Sequence, residues 1–178
     1  NGARLLAADD PARRSRGSLP LAALRGEPLP DREQLPGFDG FHLVRATPAG
    51  VAVLTWDGDA RHERQLAPGD HVIVNRGVDV PDDPVVARFL PALRATPSPD
   101  PGAGKSTVDA WADWVELAAG GGLDPAQPGA LLVRREYAGH AYGSTSVSLV
   151  ALAPGAVRYD FSGSPWNRDA WRPVLQPE

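Results

Sequence analysis

Between Phe41 and Val74 the apolar positions come in short blocks divided by turn signals. Phe41–Ala46 and Val51–Trp56 are apolar at nearly every position, the pattern of strands covered on both faces. Thr47-Pro48-Ala49-Gly50 lies between them as a four-residue turn, so the two blocks predict an antiparallel hairpin. Asp57-Gly58 marks a second turn, and Arg61–Leu66 reads as a polar, exposed strand. Pro68-Gly69-Asp70 then turns the chain into a strand over His71–Val74. With a period of two, His71, Ile73 and Asn75 share one face, and the meander ends on Asn75-Arg76-Gly77.

After Gly77 the period changes. Asp82-Asp83-Pro84 is a cap with proline in the first turn, and Val85, Val86, Phe89, Leu90 and Leu93 recur at helical spacing. Pro91 falls inside that pattern and predicts a kink or a split. A second helix is expected over Thr107–Ala119, capped by Ser106 with Asp109 three residues on and ended by Gly120-Gly121-Gly122. Strands return at Ala130–Tyr137, His140–Leu152 and Val157–Phe161, and the aromatic tail around Trp166 should pack over a sheet. Ahead of the meander, Ser18 is the expected cap of a short helix Leu19–Leu24, with Pro20 tolerable in its first turn. Strands, helices, then strands imply an α+β domain of layered antiparallel sheets with helices, taken as one domain over 1–178.

Composition narrows the function. The chain has 178 residues and a formal net charge of -4, enough for a real core and no electrostatic case for a nucleic-acid partner. Arg4, Arg13, Arg14 and Arg16 cluster, but Asp9 and Asp10 sit among them, so that segment reads as solvated and partly compensated. With no cysteine, disulfides, thiolate zinc sites and thiol nucleophiles are excluded for this chain. No apolar run approaches the roughly 18 residues of a membrane span, and no signal-peptide core is present.

The motifs are individually weak. Gly102-Ala103-Gly104-Lys105-Ser106-Thr107 imitates a phosphate-binding loop, but Pro99 stands where the first glycine belongs and no buried strand precedes it. Capping of a helix is the stronger reading there. The histidines (42, 62, 71, 140) show no helical metal-ligand spacing. His42 and His71 lie on strands expected to be neighbours and are the candidates for an axial haem ligand. Ser144, Ser146 and Ser148 alternate on one strand face, yet no nucleophile elbow surrounds them. Asn75 at a strand end has the chemistry of an oxyanion donor, although Asn-Arg-Gly also turns a chain.

Taken in order, Ser15-Arg16-Gly17, Phe38-Asp39-Gly40-Phe41-His42-Leu43-Val44, Pro68-Gly69 leading to Asn75, and Tyr142-Gly143 before a strand form a recognisable succession. It resembles the transport and Golgi organisation protein 2 family, also called the NRDE family, over nearly the whole chain. The Ala-, Arg- and Pro-rich composition resembles a bacterial member, and a cytoplasmic location would follow. The resemblance implies the αββα sandwich of N-terminal-nucleophile hydrolases, with Asn1, Asn75, Tyr142 and Thr145 as oxyanion or pocket residues. The family's opening Met-Cys and Asn-Arg-Asp-Glu segment has no counterpart, so the chain is expected to begin inside the family pattern. Ser144-Thr145 also replaces the Thr-Arg common after Tyr-Gly. What the resemblance implies first is binding or trafficking of a small molecule, haem or an acyl-type ligand, in a pocket between the sheets. No cofactor is required on that reading. The alternatives are a cysteine amidohydrolase whose nucleophile lies upstream, and an inactive structural fragment.

Overall fold

The computed structural model describes residues 13–137 and 139–177. The chain is α+β, with small antiparallel sheets and four α-helices among the described residues, gathered into two compact units. The first unit holds the described residues up to Gly69 together with Ile73–Val80; the second holds Asp70–Val72 and the chain from Pro81 onward.

In the first unit, helix α1 (Ser18–Leu24) and a 3-10 turn (Leu35–Gly37) precede a meander of β1 (Phe41–Thr47), β2 (Gly50–Trp56) and β3 (Arg61–Gln65), in the order β1-β2-β3. Ser18 is the first residue of α1 and not its cap: the cap position is Gly17, and the Ser18 hydroxyl donates to Ser15 O at 3.1 Å. Phe41 sits opposite Trp56 and Thr47 opposite Gly50, so the hairpin loop is only Pro48-Ala49. Leu43, Leu54 and Trp56 pack with Leu19, Leu35 and Phe38 into an apolar core. The Trp56 indole, which needs a partner once buried, donates to Phe38 O at 3.1 Å. The central strand β2 is buried on both faces as expected, but β1 is exposed from Val44 onward. Strand β3 is exposed throughout, and Glu63 pairs with both Arg45 and Arg61. A charged outer strand of this kind discourages pairing with another chain.

The expected strand His71–Val74 is shorter. Only β4 (Ile73–Val74) forms, paired with β5 (Gly77–Val78) in a separate two-stranded sheet, and Asn75-Arg76 is the turn between them. His71 therefore precedes the hairpin in irregular chain, and the two histidines do not lie on neighbouring strands.

In the second unit, α2 (Pro84–Ala95) starts as the sequence implies: Asp83 accepts from Val85 N and Val86 N, with Pro84 at the first position. It runs through Pro91 as one helix, so the split does not occur. The expected helix Thr107–Ala119 is divided instead, into α3 (Thr107–Trp111) and α4 (Asp113–Ala118), because Ala112 takes φ 46° and ψ -124°. Such a conformation is costly for a residue with a Cβ. It is held from both sides, by Trp111 donating to Asp160 and Trp114 donating to Pro97 O.

Two antiparallel sheets complete the unit: β6 (Arg134–Tyr137) with β7 (His140–Gly143), and β8 (Val147–Ala153), β9 (Ala156–Ser162) and β10 (Trp171–Leu175) in the order β10-β9-β8. The expected strand His140–Leu152 is thus two, broken at 144–146. The break has a cause in packing. At Gly143 an added Cβ would lie 2.7 Å from Val133 O, and the next residue bonds twice to Val133: Ser144 N donates to its O at 2.9 Å, and Ser144 Oγ accepts from its N at 3.1 Å.

Strand β9 faces the opposite way to its hydrophobic pattern. Arg158, Asp160 and Ser162 are buried, while Val157, Tyr159 and Phe161 lie on the more open face. Register aligns that open face in rows: Ser148–Phe161–Arg172, Val150–Tyr159–Leu175, and Leu152–Val157. The covered face packs on the helices through Leu149, Trp111, Ala110 and Val115. Among the described residues no helix is long and apolar enough to cross a membrane.

Candidate functional site

Two of the sequence motifs meet in the first unit. Arg14 N donates to Gly37 O at 2.7 Å, Arg13 pairs with the buried carboxylate of Asp39 at 2.7 Å, and Arg16 donates to Gly40 O at 2.9 Å. The Arg14 guanidinium stands over the Phe38 ring at 5.3 Å, within cation–π range. Residues 13–16 are thereby strapped to residues 37–40, which are in turn fixed by the Trp56 bond to Phe38.

Beside this strap lies a groove of about 330 Å³. Its lining is mixed: Leu19, Leu21, Pro30 and Phe38 are apolar, Arg14 and Arg25 are cations, and Glu27 and Gln34 are an acid and an amide. Arg25 is 3.7 Å from Glu27, an exposed pair that holds the guanidinium only loosely. A mixed lining that carries two cations and one acid beside apolar side chains offers an anionic group a partner and a short apolar segment a contact surface. None of the groove residues stands out as a catalytic or ligating type in the sequence, so motif reading passes over it.

The residues that the sequence singles out are distributed differently. His42 and Asn75 do come together, but through the backbone. The His42 ring has Nε2 3.3 Å from Asn75 O and Nδ1 2.8 Å from Thr55 Oγ1. Because a carbonyl can only accept, Nε2 carries a proton, and Nδ1 shares a hydrogen bond with the Thr55 hydroxyl. Both ring nitrogens are engaged. Asn75 is an exposed turn residue, and its φ lies outside the left-handed region; Gly77 takes the positive φ, 134°. His71 is half-buried in the second unit. Tyr142 is 64% exposed on β7 opposite Arg135, and Thr145 is exposed in the break before β8. Asn1 lies outside the described residues, as do Arg4, Asp9 and Asp10.

The phosphate-loop mimic has a structural task. Arg158, 1% exposed, donates through Nη1 to Gly102 O at 3.0 Å and through Nη2 to Lys105 O at 3.1 Å. In a phosphate loop the N–H groups turn toward the ligand; here carbonyls turn toward a buried guanidinium. Lys105 itself pairs with Asp100. The same Arg158 grips Asp160 through Nε at 2.6 Å and Nη2 at 3.0 Å. Thr107 Oγ1 and Trp111 Nε1 donate to the carboxylate as well, at 2.5 and 2.8 Å. Burial works to raise the Asp160 pKa, but the hydrogen bonds from Arg158, Thr107 and Trp111 and the Arg158 charge outweigh it, so the group titrates below the ordinary carboxylate value. All three guanidinium nitrogens bond protein acceptors, so this cluster holds a loop to a strand.

Among the described residues no group of three or more His, Asp or Glu is arranged to hold a metal ion. Comparison with family models, with curated proteins and with solved structures gives no match.

Proposed function

We propose that the chain is a non-enzymatic binding protein of the transport and Golgi organisation protein 2 type, taking an anionic acyl ligand in the groove beside α1. The observation that supports this reading is the groove itself, where Leu19, Leu21 and Phe38 lie beside two cations, Arg14 and Arg25, and one acid, Glu27. Its volume, about 330 Å³, is at the small end of the roughly 300–1,000 Å³ of ligand pockets. That favours a medium acyl chain over a macrocycle. Haem is the less favoured ligand for a second reason: His42 would have to give up two hydrogen bonds to reach an iron.

The αββα layering implied by the family resemblance has one support in the second unit. The β8–β10 sheet carries helices on its buried face and apolar rows on its open one, the arrangement of one α layer and one β layer of such a sandwich.

Titration calorimetry with dodecanoate tests the assignment. Binding is expected, with Arg14→Ala and Arg25→Ala each weakening it several-fold; no heat of binding, or binding indifferent to both changes, would sink it. Haemin is the control. A Soret shift that disappears in His42→Ala would return the site to haem.

A further inference from the structure

One wall of the groove beside α1 is a turn whose path the backbone fixes. The helix ends at Gly26, which takes φ 67°, a left-handed conformation that glycine adopts without steric cost. Gly26 N donates to Ala23 O at 3.3 Å and Glu27 N donates to Ala22 O at 2.9 Å, the paired bonds of a glycine-closed helix end. After the turn, Pro28 and Pro30 line the groove with φ fixed by their rings, and Leu29 between them packs against the apolar core.

That turn sets two opposite charges on the groove. Arg25 and Glu27 both line it, with Arg25 Nη1 3.7 Å from Glu27 Oε1. Their backbones are locked, but their side chains stay in water, 67% and 52% exposed. A pair so exposed is weak and changes partners readily. An anionic ligand therefore reaches a cation that already has a counter-ion. What it gains at Arg25 is the difference between two attractions of similar size.

We propose that Glu27 is a specificity-determining residue of the groove, an internal counter-ion that an anionic ligand must displace from Arg25. This role rests on the groove's taking an anionic acyl ligand, as proposed above. It adds a filter to that site. A small anion with no apolar body finds at Arg25 little beyond what Glu27 already supplies to the guanidinium. A ligand that also covers Leu19, Leu21 and Phe38 gains apolar contact on top of the exchange, and is retained.

Titration calorimetry of the whole chain with dodecanoate tests the filter. Glu27→Gln keeps the side chain's size and removes its charge; it should tighten binding about two- to fivefold, the span of an exposed ion pair, with an unchanged melting curve. Glu33→Gln removes the same charge from an exposed position outside the groove and should leave the affinity unchanged. In an Arg25→Ala background the gain from Glu27→Gln should shrink, because the cation being competed for is gone. Binding by the parent chain that ignores Glu27→Gln, an equal gain from Glu33→Gln, or an undiminished gain without Arg25 would each overturn the counter-ion role and leave the groove assignment standing. No heat from either the parent chain or Glu27→Gln would overturn both.

Discussion

The two three-stranded sheets solve the same problem with different chemistry. In the β1–β3 sheet the middle strand buries Val53 and Leu54, and its core is a cluster of leucines, Phe38 and Trp56. In the β8–β10 sheet the middle strand buries Arg158, Asp160 and Ser162, while its apolar partners face outward. One core is cohesive because apolar area leaves water, in proportion to that area and without directional demand. The other depends on every donor finding its acceptor, and its charged pair is retained because it also anchors a loop through Gly102 O and Lys105 O. The difference teaches that a buried ion pair is better read as a positioning device than as a source of stability.

Substitutions that break this contrast should have graded effects. Asp160→Asn leaves Arg158 buried without its counter-charge and should cost about 3–5 kcal/mol in chemical denaturation. The paired swap Arg158→Met with Asp160→Leu should cost far less; a loss as large as that of the single change would show that the pair itself supplies the stability. Limited proteolysis should nonetheless find residues 97–106 more open in the swap, since their carbonyls lose the guanidinium. In the apolar core, Leu54→Ala should cost about 2–5 kcal/mol from transfer and cavity terms, with no dependence on pH.

Acid should then separate the cores. The Asp160 pKa is lowered in the folded chain, so its ionised form contributes stability above the unfolded value of about 3.9 and that contribution disappears as pH falls through the lower folded value. Wild-type stability measured from pH 6 down to 2 should drop more steeply than that of Asp160→Asn; parallel curves would refute the linkage. Gly143→Ala must displace Val133 O from 2.7 Å and should cost about 1–3 kcal/mol. The smallest effect belongs to Tyr142→Phe on the open hairpin, expected within about 0.5 kcal/mol by thermal melt.

Local signals with a mechanism of their own were legible. The Asp83-Pro84 cap, the Ser106 cap with Asp109, and the Asp57-Gly58 turn all form where the residues place them, the last with Asp57 Oδ1 accepting from Asp59 N and Ala60 N. Strand lengths were legible only where a turn bounded them. Ala112 gives no warning in sequence, since alanine is the strongest helix former and its φ of 46° is imposed by what Trp111 and Trp114 reach. The facing of β9 was illegible for a similar reason: alternation shows that two faces differ, and only the Thr107 and Trp111 donors, 53 and 49 residues away, make the polar one the inner one.

The candidate site divides in the same way. His42 stood out as a strand histidine and Asn75 as an amide at a strand end, yet the contact between them uses a backbone carbonyl that no side-chain pattern encodes. The groove is assembled from leucines, prolines and arginines whose types are ordinary anywhere. What could have pointed to it is the exposed face of α1, which a helical wheel shows once its boundaries are known.

Trp56 has an optical consequence. The chain's other four tryptophans, at 111, 114, 166 and 171, all belong to the second unit, so Trp56 is the sole indole of the first. It is buried and its N–H is bonded to a carbonyl, which gives a blue, quencher-shielded emission while that core is intact. Subtracting the spectrum of Trp56→Phe from that of the parent chain isolates this one emitter. The difference signal follows the leucine core alone, through denaturant, acid or ligand, without any added label.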